Sequence, residues 1–327
     1  MAAIQLAHLR KQYMYGRENV EKIMAAGEGE WLKPSLSSSN LAASSPADAA
    51  EILEKRHHAA GQQQIEKLLS LCKSFHGRVD FEFVETQTPN GFAARHPKDG
   101  SHAIGLDPSL WHVFSTLTLA AGMAEQANEP KLLIGAAQRL TISAFLKGAL
   151  PPSEFEEILR LMWERAPAML KLFEKLAAPF YVDFLLAHEV GHIELGHLNE
   201  ADVKRVQLDP AQEAVPLSAL DWEHEFAADR WALEALLTLA GSDNTKLTLV
   251  TTLPAIYFDL AALVERLYVP QTDVGRILRD THPPPRMRAD RCRAWAATHT
   301  EIPPNDAMAL LVKISWFVRS VLPKEDS

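Results

Sequence analysis

The chain has 327 residues, 47% of them hydrophobic and 23% charged, which is the balance of an ordinary globular protein. Its 33 lysines and arginines face 42 aspartates and glutamates, a net charge of −9, whereas a generic binder of nucleic acids or anionic membranes carries the opposite sign. Two cysteines provide no disulfide framework, and no run of 18 apolar residues is present. We expect a soluble protein of the reducing cytoplasm, with neither a membrane nor a nucleic acid among its partners.

Two parts are predicted along the chain. Residues 1–50 contain a short helical segment at 3–26 and then a serine- and alanine-rich arm at 34–50. The arm has six serines and no aromatic residue, so it buries too little surface to fold alone and is expected to be flexible. The folded domain is predicted to span 51–327 and to begin with a helix at 52–75.

A small sheet is predicted after this first helix. In the segment 78–84, apolar Val79, Phe81 and Phe83 alternate with acidic residues at the period of two that is typical of a strand. The segments Gly91–Arg95 and His102–Leu106 follow, and each comes after a turn rich in proline and glycine. Short connections of this kind favour an antiparallel sheet.

From residue 108 onward the pattern is helical almost throughout, with breaks at proline, glycine and aspartate. The predicted fold class is therefore α+β, mostly α, with the small antiparallel sheet packed on a helical body. The predicted helices are 108–127, 130–148, 153–176, 179–199, 218–240, 245–268 and 304–321.

An H-E-x-x-H sequence lies in the predicted helix 179–199. It begins at His188 and ends at His192, with Glu189 as its acid. Residues four apart turn through about 400° of helix, so the two imidazoles project from one face and could share a tetrahedral Zn²⁺. Such a match is expected about 0.04 times in a chain with 13 histidines among 327 residues, which favours a metal site over an accident.

Glu189 and a second helix complete the predicted site. Glu189 lies about 100° round from His188, where it is better placed to act as a general base on water than as a ligand. A catalytic zinc needs a third protein ligand, and the helix 218–240 offers Glu225, with Asp229 one turn further on. Glu225 is predicted to bind the metal, and Asp229 to accept the second ring N–H of a ligand histidine.

H-E-x-x-H followed by E-x-x-A-D resembles the gluzincin metallopeptidases, particularly those related to the CAAX-prenyl and heat-shock membrane endopeptidases and the phage-exclusion Lit peptidases. The segment 90–93, Asn-Gly-Phe-Ala, is similar to their Asn-Ala-Phe-Ala strand at the substrate cleft. The segment 281–284, Thr-His-Pro-Pro, is similar to their downstream Ser/Thr-His-Pro sequence. The likeness covers roughly residues 79–290.

The resemblance implies a zincin-like metallopeptidase domain that holds zinc through His188, His192 and Glu225. It also implies that His282 donates a hydrogen bond to the oxyanion of the reaction; Tyr257 and Tyr268 are alternative donors. The membrane endopeptidases contain transmembrane helices that this sequence does not show, so a membrane or prenylated substrate is not implied.

Other polar residues near the motifs leave alternatives open. His197 would lie on the opposite face of a helix that continues to 199, which predicts a packed or solvated histidine and not a third ligand as in the metzincins. Glu223 and His224 are rival ligands to Glu225. An arginine-rich segment is either a solvated face or a binding surface for an acidic or nucleic-acid partner, unless Arg286 or Arg288 is buried beside the site. Its arginines are Arg266, Arg276, Arg279, Arg286, Arg288, Arg291 and Arg293.

We therefore expect a soluble zinc-dependent endopeptidase that hydrolyses a protein or peptide of the cell, with Glu189 as the general base. An extended substrate is expected to pair with one of two strands, at 92–95 or at His102–Leu106. The alternative is a regulatory or interaction module on a metallopeptidase fold, for example in phage defence, in which hydrolysis is secondary or triggered.

Overall fold

The computed structural model describes residues 46–84, 91–96, 99–145, 177–198, 203–206, 215–218, 222–268, 282–299 and 306–322. The predicted helices 3–26 and 153–176, and most of the serine-rich arm, lie outside these residues. The described residues form five strands: β1 Val79–Phe83, β2 Gly91–Arg95, β3 His102–Leu106, β4 Val203–Val206 and β5 Val215–Ser218. They also form eight helices: α1 Pro46–Leu69, α2 Pro108–Ala127, α3 Pro130–Phe145, α4 Ala178–Glu194, α5 Trp222–Ala240, α6 Asn244–Tyr268, α7 Pro285–Ala297 and α8 Asp306–Val321.

The α+β class, mostly α, is confirmed, but the prediction of an antiparallel sheet is wrong. The three-stranded sheet is mixed, with the order β1-β3-β2. β2 pairs antiparallel with β3, whereas β1 pairs with β3 in parallel, Val79 opposite His102. Residues 103–106 of β3 are all buried, and this strand takes the central place with a partner on each side.

The helical pattern located seven of the eight described helices, α1 with its bounds shifted by six residues, but missed α7. Its three buried residues are Arg288, Ala289 and Cys292, so the helix shows almost no apolar period to read. The prolines that suggested a break begin the helix instead: Pro284 is the N-cap and Pro285 the first helical residue, a position at which proline lacks no hydrogen bond. The short strands β4 and β5, which pair antiparallel, were missed too.

Helix α4 passes through the middle of the core and packs closely against α5. Tyr181 and Phe184 on α4 are fully buried. A Cβ at Gly191 would lie 3.1 Å from the carbonyl oxygen of Ala228 and 3.3 Å from its Cα, so the backbones of the two helices approach as closely as a glycine allows. This contact brings the H-E-x-x-H turn next to the acids of α5.

The C-terminal end of α4 differs from the prediction. The helix ends at Glu194 and not at residue 199, and Leu195, just after its end, is 43% exposed. The Glu194 carboxylate accepts the backbone N–H groups of Lys73, Ser74 and Phe75 in the turn after α1. Charge-assisted bonds of this kind are stronger than neutral ones and fasten the end of α4 to the first helix.

One helix of the described residues is long and apolar enough to cross a membrane. It is the segment 244–266 of α6, which has a mean hydropathy of 1.8. Within the molecule 78% of its apolar window is buried, as in the central helix of a globular core, so its composition gives only weak support for a membrane span.

Candidate metal centre

The two histidines of the motif converge inside the molecule. His188 and His192 stand one turn apart on α4 and are 6% and 4% exposed. Their Nε2 atoms are 3.1 Å apart, and the rings meet edge to face. This agrees with the prediction that both imidazoles project from one face of the helix.

Glu225 approaches the histidine pair from α5. Its Oε1 lies 3.1 Å from His192 Nε2, and its Oε2 lies 3.5 Å from His188 Nε2. Both oxygens are buried, and in spite of these distances neither makes a hydrogen bond of good geometry. One donor atom from each of the three residues lies within 4.8 Å of the other two, so a single ion could contact all three.

Asp229 holds His188 from the other side of its ring. His188 Nδ1 and Asp229 Oδ1 are 3.0 Å apart, and both side chains are buried. When Nδ1 donates its proton to this carboxylate, Nε2 keeps its lone pair and faces His192 and Glu225. The structure thus places Asp229 where the sequence pattern predicted an outer partner of a ligand histidine.

Arg288 of α7 is a buried member of the cluster. It binds Asp229 in a two-pronged ion pair, with Nε 2.8 Å from Oδ2 and Nη2 2.6 Å from Oδ1. Its Nη1 lies 3.1 Å from Glu225 Oε2, and its guanidinium stacks over the ring of Phe258 at 4.2 Å. Among the possibilities left open for the arginine-rich segment, burial beside the site is therefore the one observed for Arg288.

Two further arginines of that segment have partners among the described residues. Arg293 contacts Asp259 and Asp290, and Arg291 lies over the ring of Phe226, 3.3 Å from Glu223. Arg276 and Arg279 lie outside the described residues. Helix α7 therefore does not present a uniformly solvated basic face.

His197 lies behind His192, contrary to the prediction that it faces away from the site. A glycine turn ends α4: Gly196 has φ +72°, its N–H bonds the carbonyl of Ile193, and the N–H of His197 bonds the carbonyl of His192. These two bonds define a Schellman motif, which reverses the chain over the last helical turn. His197 Nδ1 then lies 2.9 Å from His192 Nδ1. The signal in the sequence was Gly196, the usual residue after a helix end.

Glu189 lies between the histidines and the sheet. It is 7% exposed, and the backbone N–H of Ala93 in β2 bonds it. A Cβ at Gly91 would lie 3.2 Å from its Oε1, so the absence of a side chain at Gly91 leaves room for the carboxylate. Burial raises the pKa of Glu189 to about 7, although His188 opposes the rise.

The other charges of the cluster are set by the acids and by Arg288. Burial lowers the pKa of His188, but Glu225 and Asp229 outweigh it and raise that pKa to about 10. Burial also raises the pKa of Glu225, but His282, Arg288 and His188 hold it well below its ordinary value. Burial raises the pKa of Asp229 too, and Arg288 with His188 outweighs that effect. Both acids are therefore anionic at pH 7.

His282 lies next to the cluster. It is partly buried, and it acts electrostatically on Glu225. Burial lowers its pKa, with Arg288 and the motif histidines adding to the effect. Tyr257, one of the alternative donors, is buried near Glu189 and Asp229, and burial raises its pKa. The side chain of Tyr268, together with Asn90 and Thr281, lies outside the described residues.

The two rival ligands do not point into the cluster. Glu223 is exposed and pairs with Arg291. His224 stacks on His197, with 4.2 Å between the ring centroids and 19° between the planes. Glu225 is thus the acid of this turn that faces the two histidines.

No protein-family model, no curated protein and no solved structure matches this chain. The resemblance to gluzincins therefore depends on the motif residues and on their arrangement in space.

Proposed function

We propose that this protein is a zinc-dependent endopeptidase with a zincin-like body. The observation that supports the proposal is the buried meeting of His188, His192 and Glu225 beside a buried Glu189. Two different helices, α4 and α5, supply the three donor atoms. Chance rarely produces an H-E-x-x-H sequence. It does not account for a carboxylate that faces both histidines from a second helix.

The donor set suits zinc. Two imidazoles and a carboxylate are the ligands of a common class of catalytic zinc site. Ligand atoms at about 2.0–2.1 Å from one tetrahedral ion stand about 3.3 Å apart, close to the 3.1 Å between the two Nε2 atoms. Glu225 and Asp229 favour a positive charge on His188 as well as on Arg288, and a cation bound at His188 Nε2 would take the place of that proton.

Zinc, when bound, polarises a carbonyl group and makes a water molecule more acidic. Glu189, at the boundary between the histidines and β2, takes the proton from water and later delivers it to the leaving amine. His282 donates to the carbonyl oxygen of the scissile bond as that oxygen gains negative charge, and Tyr257 is the alternative donor. Asp229 keeps His188 in the tautomer that leaves Nε2 free.

The substrate is an extended segment of an intracellular protein that adds to the edge of β2. β3 is central in the sheet, so the expectation that His102–Leu106 could accept a substrate strand is wrong. In the described residues β2 pairs with β3 on one side only, and β5 lies near it without pairing. A strand added to β2 would run past Glu189, since Ala93 of this strand bonds that carboxylate.

The first experiment measures zinc in the purified protein. We expect one zinc per chain in the wild type, about the same in Glu189→Gln, and a large loss in His192→Ala. His96→Ala is the matched control, because His96 is a buried histidine that pairs with Asp99 away from the cluster. Equal zinc in the wild type and His192→Ala would overturn the ligand assignment.

The second experiment searches for the reaction itself. Cells that produce the wild type and cells that produce Glu189→Gln are compared for new protein N-termini. We expect cleavage products only with the wild type, and the candidate substrate is then incubated with both purified proteins. If no new N-terminus depends on Glu189, the peptidase proposal fails even when zinc is bound.

A further inference from the structure

The two motif histidines are supported by different chemistry. His188 faces the carboxylate of Asp229, whereas His192 faces the imidazole of His197, with 2.9 Å between the two Nδ1 atoms. Both rings of the second pair are buried, at 4% and 6% exposure. A contact of this length between two nitrogens requires one of them to donate and the other to accept.

The metal fixes which nitrogen donates. If His192 binds zinc through Nε2, its proton must be on Nδ1, because a neutral imidazole carries one proton and one lone pair. His197 Nδ1 is then the acceptor, and the proton of His197 is on its Nε2. The pair is thus locked into one arrangement of two tautomers.

The fold presents His197 in this orientation by two means. The Schellman turn at Gly196 brings its backbone back over the last turn of α4. The ring of His224 on α5 then stacks against it at 4.2 Å. His197 is therefore held between the two helices that carry the metal ligands, and its position does not depend on a flexible side chain.

We propose that His197 is the positioning residue of His192: it accepts the Nδ1 proton and so aims Nε2 at the metal, as Asp229 does for His188. The inference depends on the proposed metal site. Outer partners of ligand histidines are most often carboxylates, backbone carbonyls or water. A neutral imidazole in this role fixes the tautomer of His192 without adding a further negative charge to a cluster that already contains two anionic acids.

The test uses four full-length proteins and a competing chelator to measure zinc affinity. His197→Asn places its carbonyl oxygen where histidine has Nδ1, so it keeps the acceptor. His197→Phe keeps a flat ring against His224 and removes the acceptor, and His197→Gln moves the polar group out to the level of Nε2. We expect near wild-type affinity for the asparagine variant, and a loss of about 10- to 100-fold for the phenylalanine and glutamine variants.

A second measurement needs no variant. Nitrogen chemical shifts of the imidazole rings in the zinc-loaded wild type should show the proton of His192 on Nδ1 and that of His197 on Nε2. Wild-type affinity in the phenylalanine variant, or a His197 protonated on Nδ1, would overturn the inference, because stacking alone would then account for the residue. A wild type that binds no zinc would instead refute the proposed function, so the two failures are distinguishable.

Discussion

At the scale of single residues, Asp229 makes two buried contacts, and its removal would break both. Its carboxylate accepts from His188 and also forms the two-pronged pair with Arg288. The arginine is 9% exposed, so the carboxylate that orients a histidine also neutralises a buried cation. Glu189, by contrast, has a backbone partner in β2 and takes no part in this pair.

Glu189→Gln should therefore remove catalysis and leave the metal site intact. The amide cannot accept a proton at neutral pH, and general-base catalysis contributes typically about 10²- to 10⁴-fold, so cleavage should fall by at least that factor. The variant should fold, and its zinc content should stay near the wild-type value. The measurement is the cleavage rate of both proteins on the substrate found by N-terminal profiling. A variant with its zinc and full biological effect but no cleavage would favour the interaction-module alternative.

Asp229→Ala should weaken zinc binding by about 10- to 100-fold and should also destabilise the protein. Arg288 would keep a single acid, Glu225, in a buried site, and breaking a buried ion pair costs about 3 to 5 kcal/mol. Chemical denaturation of the metal-free proteins measures this second effect. The control is Asp290→Ala, since Asp290 is 67% exposed and should contribute little to stability.

At the scale of elements, the geometry of the site depends on the ends and contacts of α4. Gly191 permits the close approach to α5, and Gly196 ends the helix and reverses the chain. Glu194, between them, binds three N–H groups of the turn after α1. These three features fix the last turns of α4 and so hold His192 and His197 in their positions relative to each other.

Gly196→Ala should lower both stability and zinc affinity, because alanine at φ +72° is strained by about 1 to 2 kcal/mol and relief of the strain would move His197. Gly241→Ala is the matched control. Gly241 follows the end of α5 at φ +56°, and no atom lies within 4 Å of the position that a Cβ would occupy. It should lose similar stability and keep its zinc. Equal affinities in the two variants would contradict this prediction.

At the scale of the whole molecule, the helices around α4 partly bury an acid outside the cluster of histidines. Asp183 lies on α4 and is partly exposed, and Lys67 of α1 and Lys246 of α6 act on it electrostatically. Burial raises its pKa to about 7, which these lysines only partly offset. Ionisation of this group is therefore easier in the unfolded chain than in the folded protein.

Asp183→Asn should stabilise the protein increasingly as the pH rises. An acid whose pKa is raised on folding makes the wild type lose stability between its unfolded value of 3.8 and about pH 7, and the amide avoids that loss. One pKa unit corresponds to about 1.4 kcal/mol, so with partial access to water we expect about 1 to 3 kcal/mol at pH 8. Denaturation at pH 5 and pH 8 measures the difference. A gain in stability that does not grow with pH would contradict a raised pKa for Asp183.

The sequence alone determined the parts of the site that lie within one element. Helical periodicity located α4 and α5, and the four-residue spacing of His188 and His192 and of Glu225 and Asp229 put each pair on one face. These are local properties, so the spacing of residues along the sequence is enough to predict them.

Only the tertiary structure decided the remaining features, because each depends on residues far apart or on a reversal of the chain. Arg288 and Asp229 are 59 residues apart in the sequence, and α7, which carries Arg288, has almost no apolar period from which it could be predicted. The order of the sheet follows from the burial of β3 on both faces and not from the length of its turns. His197 faces the site because α4 ends at Glu194, and a helix end one turn later would have turned it away.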